Sequence, residues 1–228
     1  MDAERFGIGI SLFGLTLLLA GLAVRGVVQF ARTRSRPQLM WGSGLALAAA
    51  AVAIEAVVYS GYVNGPLLQA YVVLSAAIVG VLSLGATRIL TRPRLEAAYT
   101  AWTLGSCAAV AAVGFATPIP TDAVAGGIIS GALPTNVLLV SSLVTGPATV
   151  LLLAASYLSL RRNFRWQTVL MAAGAVILGA GGTLYIASFP VALYYAEFLG
   201  ILCLFLGLVS LPASAARHLP TAVAERAP

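Results

Sequence analysis

Hydrophobic positions in this chain come in long unbroken runs, not in the alternating or three-to-four spacing of a half-buried element. Seven such runs can be marked, each long enough as a helix to cross a hydrocarbon core of about 30 Å. They cover residues 6–30, 38–59, 66–90, 97–117, 137–160, 166–188 and 190–211. Polar and turn-forming residues concentrate in the connections: ARTRSRP after the first run, SGYVNGP after the second, TRPRLE after the third and RRNFRW after the fifth. The longest connection, 117–136, is broken by Pro118, Pro120 and Pro134. The pattern predicts an all-α polytopic membrane protein, a single domain of seven transmembrane helices over residues 1–228 with a short cytoplasmic tail at 212–228.

Composition agrees. Of 228 residues, 60% are hydrophobic and 9% charged, against about 25% charged in a soluble domain. The formal charge of +6 does not point to nucleic acid, because the basic residues sit in short runs between apolar spans. All thirteen are arginine. Eleven of them (Arg32, Arg34, Arg36, Arg88, Arg92, Arg94, Arg161, Arg162, Arg165, Arg217 and Arg226) follow the first, third, fifth and seventh runs. The even connections carry no basic residue, and their only charge is Asp122. Positive charge marks the cytoplasmic side, so the expected orientation is N-terminus outside and C-terminus inside, in a plasma (inner) membrane.

Within the spans, GVLSLGA at 80–86 resembles GLVSLPA at 207–213. Together with matching connections, this suggests a 3+1+3 parallel repeat of the kind found among transporters. Pro147 lies inside the fifth run, where it frees a backbone carbonyl and is expected to kink the helix. Small residues four apart, as at Gly44 and Ala48, predict close helix contacts. Trp41 and Trp166 begin spans as interface anchors.

Candidate chemistry rests on two acids. Glu55 lies about one turn from the outer end of the second span, and Glu197 about two turns from the outer end of the seventh. A carboxylate inside a span is a functional candidate by default. Tyr194 precedes Glu197 by three residues, Gln69 and Tyr71 begin the third span, and Tyr185 ends the sixth, all at similar depth. These six residues define an outward-facing polar pocket binding a proton, a cation or a small polar solute. The plainer alternative is that each acid staples helices by bonding a tyrosine.

Seven spans with the N-terminus outside resemble, in architecture alone, the microbial rhodopsins and the sugar-transporting SWEET proteins. A retinal Schiff base needs a lysine, which is absent from the chain, and the paired prolines of a SWEET protein are missing. The one histidine, His218, is in the tail, so membrane histidines do not hold haem. No metal-ligand cluster, phosphate loop or nucleophile elbow occurs, and no catalytic residue is assigned. No cofactor is expected. The leading expectation is a small permease or solute-binding protein, not an enzyme. The alternative is a non-catalytic module: a sensor, or an accessory subunit binding lipid, pigment, a partner membrane protein or its own copy.

Overall fold

The computed structural model describes residues 3–34, 36–87, 93–121 and 133–162, and beyond them 166, 169–170, 172–174, 176–177, 196, 199–203 and 206. Five long helices are described: α1 (Ala3–Thr33), α2 (Arg36–Tyr59), α3 (Gly65–Ala86), α4 (Pro93–Ala116) and α5 (Thr135–Arg162). Each contains a stretch of 22 to 24 residues long and apolar enough to span a bilayer. The protein is an all-α integral membrane protein. The sixth and seventh predicted spans, the repeat they would complete and the tail at 212–228 fall mostly or wholly outside the described residues. Residues 172–174 and 199–203, on those two spans, are helical.

Helix ends depart from the sequence expectation at the arginine-bearing connections. The loop expected between the first two spans shortens, because α1 continues to Thr33 and α2 begins at Arg36. Arg34 closes α1: its N–H bonds the Phe30 carbonyl at 2.7 Å and its backbone takes φ 55°, the left-handed geometry of a helix terminator. Such a φ costs a non-glycine residue about 1 kcal/mol, and the Arg34 guanidinium lies 6.0 Å from the centre of the Phe30 ring. Pro37 is tolerated because the first turn of a helix has no internal partner for its missing N–H. The same reasoning explains why α4 starts at Pro93, four residues earlier than expected.

Consecutive helices pack against each other: α1 on α2, α2 on α3, α3 on α4 and α4 on α5, with α3 also touching α5. They run antiparallel, which gathers Arg32, Arg34, Arg36, Arg94 and Arg161 at one end of the bundle, all exposed. Between hydrocarbon chains there is no hydrophobic drive to bring spans together, so close contact depends on small residues. The alanine-rich α2 supplies them on two sides. Toward α1, a Cβ on Gly26 would stand 2.8 Å from the Gly42 Cα, which is backbone against backbone. Toward α3, a Cβ on Gly44 would meet Leu82 Cδ2 at 2.6 Å, and the Trp41 indole lies across Gly85. Thus Trp41, expected as an interface anchor, also wedges α2 onto α3.

Three apolar clusters follow. Leu12, Leu15, Leu19 and Leu22 form a stripe on α1 that packs with Leu45, Ala48 and Val52 of α2 and with Ile201. Toward the arginine-free end, Ala51 and Val58 meet Leu68, Tyr71, Val72, Ile119 and Val137. Ala76, Val110 and Val144 join α3, α4 and α5.

Pro147 lies inside α5 and cannot donate to the carbonyl four residues back, that of Leu143. The Trp102 indole Nε1–H of α4 donates to that same carbonyl at 3.0 Å. Both residues are exposed on the outer surface of the bundle, where lipid offers no hydrogen bond in place of the lost one. Replacing Trp102 with Phe is expected to cost about 1 kcal/mol of unfolding free energy in mixed micelles. In a Pro147→Ala background, where the introduced alanine supplies the backbone donor itself, the same replacement should cost nearly nothing. Equal costs in the two backgrounds would show that the indole does not serve the proline gap.

Candidate functional site

At the arginine-free end α2 reaches its last turn, the chain turns through Gly61 (φ 100°), and α3 begins. Asn64 caps α3, its Oδ1 accepting the Leu67 N–H at 2.8 Å. This tight reversal sets the register of α2 against α3. Glu55, four residues before Tyr59, comes level with Tyr71, six residues into α3 beyond Gly65. The Tyr71 hydroxyl donates to Glu55 Oε1. Glu55 is 3% exposed and Tyr71 7%, so the pair is enclosed by protein and faces neither lipid nor solvent. Burying a carboxyl in apolar surroundings is costly without hydrogen-bond partners, and Tyr71 supplies one from the neighbouring helix.

The pair is flanked on α2 by Ala51 and Val58, which belong with Tyr71 to the cluster at this end. On the other side of α2, Val52 belongs to the α1–α2 cluster, against which Ala56 and Tyr59 also pack. Glu55 is therefore set where the two clusters meet along α2. Among the described residues no three His, Cys, Asp or Glu side chains gather as metal ligands do. The chemistry available to the described part of the site is that of one carboxyl and one phenol. A carboxyl of this kind can take up and release a proton, or hold a cation or a hydrogen-bond donor of a solute.

The six residues expected to line one pocket are distributed as follows. Glu55 and Tyr71 are in contact. Gln69 faces another way: its Nε2 donates to the Phe115 and Thr117 carbonyls at 3.2 and 3.0 Å, closing the end of α4. Asn136 Nδ2 donates to Thr117 Oγ1 at 3.1 Å, which ties the start of α5 to the same point. Glu197, Tyr194 and Tyr185 lie outside the described residues. Ile201, four residues after Glu197, is buried with Leu19, Ala48 and Val52.

A second polar contact, not singled out in the sequence, joins α3 to α4 nearer the arginine-bearing end. Ser83 is fully buried and donates from Oγ to the Gly80 carbonyl at 2.7 Å. Its only proton being used, it accepts from the Tyr99 hydroxyl, also at 2.7 Å. Thr103 and Ser106, four and seven residues beyond Tyr99, are buried on the same side of α4. That spacing of Tyr99, Thr103 and Ser106 along one side of α4 was the available signal.

No family model, curated protein or solved structure matches this chain.

Proposed function

We propose that this chain is a small seven-span permease, or a solute- or ion-binding membrane protein, that takes a proton, a cation or a small polar solute at Glu55. The observation that carries the reading is the buried pairing of Glu55 with Tyr71 one turn from the arginine-free end of α2. An acid kept inside a span at this depth is within reach of the membrane face yet held out of lipid, as a coupling site requires. The arginine-bearing end is cytoplasmic and the N-terminus outside, by the positive-inside rule, so Glu55 serves the outer face of the plasma (inner) membrane. Glu197, with Tyr194 and Tyr185, completes the site from the sixth and seventh spans.

The test is flux. Proteoliposomes loaded with a pH-reporting dye and given an imposed Na⁺, K⁺ or H⁺ gradient are expected to show a protein-dependent leak that Glu55→Gln abolishes while the variant stays folded. An unchanged leak in Glu55→Gln, or a wild type no leakier than empty vesicles, removes the proton and cation reading of Glu55.

The alternative, a non-catalytic sensor or accessory module, is favoured by one observation: glycine contacts press the arginine-bearing half of α2, remote from the acid, closely against α1 and α3. On that reading the pair is a staple, and a stoichiometric membrane partner or apolar ligand accompanies the protein through gentle purification.

A further inference from the structure

On α1 the buried leucine stripe leaves an opposite face exposed, and that face carries charge. Arg25 lies well inside the helix, eight residues before Thr33, and is exposed. Among the described residues no ion-pair partner accompanies it. Arg32 follows seven residues later, two turns on, along the same line of the helix, and is also exposed. Below Arg25 on this line the surface is bare: Cβ atoms built on Gly21 and Gly14 would touch nothing within 4 Å. Beside it run the exposed apolar side chains Leu17, Val24 and Val28.

Depth can be judged from α2. Gly26, next to Arg25, touches Gly42, next to Trp41, so Arg25 lies at the level of an indole of the kind found where hydrocarbon gives way to headgroups. A guanidinium at this level needs an anion, and its planar fork pairs with phosphate oxygens in a bidentate manner. The two arginines lie about 10 Å apart along the axis, which brackets one headgroup, with the apolar face beneath offering a bed for its acyl chain.

We propose that this face of α1 is a binding site for one anionic phospholipid of the leaflet at the arginine-bearing end, its phosphate held by Arg25 and Arg32 and its chain lying over Gly21, Val24 and Leu17. The site is separate from Glu55, which is at the other end of the bundle and on another helix.

The probe is phosphatidylglycerol against phosphatidylcholine, added to the delipidated full chain and read by native mass spectrometry. Wild type is expected to retain one phosphatidylglycerol in preference to phosphatidylcholine. Arg25→Gln should weaken retention about fivefold, the worth of one basic residue at an anionic surface, with Arg25→Lys intermediate. Arg161→Gln, at the same end but on α5, should leave retention unchanged. Equal retention of the two lipids by wild type overturns the proposal. So does an equal loss from Arg161→Gln, which means diffuse surface charge. A lipid-free dimer cross-linked through Gly21→Cys also overturns it, since a second copy then covers this face.

Discussion

Replacing Gly26 with leucine is expected to destabilise the folded protein by about 3 kcal/mol, the upper end of the cost of overpacking. The reason is the identity of the atom that the new side chain meets. At Gly26 the obstacle is the Gly42 Cα at 2.8 Å, backbone that cannot rotate aside, so α1 and α2 must separate. At Gly44 the obstacle is the end of the Leu82 side chain, and Gly44→Ala should cost less because that side chain can change rotamer. Gly105→Leu is the control: the position is exposed, a Cβ there meets nothing within 4 Å, and leucine is the better helix former, by up to about 1 kcal/mol. Reversible unfolding in mixed micelles ranks the three. A Gly26→Leu protein as stable as Gly105→Leu would mean that α1 and α2 do not meet backbone to backbone.

The second large effect concerns the buried acid. Tyr71→Phe takes away the hydroxyl that donates to Glu55, and Glu55→Leu takes away the acceptor. Each single change is expected to cost about 1–3 kcal/mol, the penalty for disturbing a buried hydrogen bond from one side. The double variant Glu55→Leu, Tyr71→Phe replaces both partners by apolar groups and should recover most of that loss. If the pair is only a staple, the double variant is stable and behaves as wild type in every respect. If Glu55 carries a proton or cation, the double variant is stable and inactive in the flux assay. Stability and flux measured on the same four proteins therefore separate the two roles of one hydrogen bond.

Much of the frame can be read from runs of hydrocarbon and from where arginines interrupt them, because a spanning helix must satisfy its own backbone and shed charge to its ends. The acid at Glu55 and a tyrosine at its depth are also legible. What the sequence obscures is direction. Gln69 and Tyr71 share a depth, yet two residues along a helix are rotated by about 200°, so one turns to the end of α4 and the other to Glu55. That rotation argues against a single wall containing both, and it follows from helical arithmetic alone. The Trp102 bond to Leu143 is different, since it depends on how α4 slides along α5, which apolar faces without periodic markers do not specify. The turn at Arg34 is hidden for a local reason: nothing in an arginine announces a left-handed backbone, where glycine or asparagine would.

Gly42 and Gly44 give α2 a bare flank toward each neighbour, which leaves it clamped like a blade between two jaws. Sliding its arginine-bearing half would force main chain against main chain on the α1 side and the Trp41 ring against Gly85 on the other. The phenol of Tyr71, by contrast, turns about two torsions and carries no helix with it. On the proposed reading, a guest reaching Glu55 from the α3 side needs only the swing of a single ring and no rocking of a bundle, a motion whose tempo belongs to side chains, not domains.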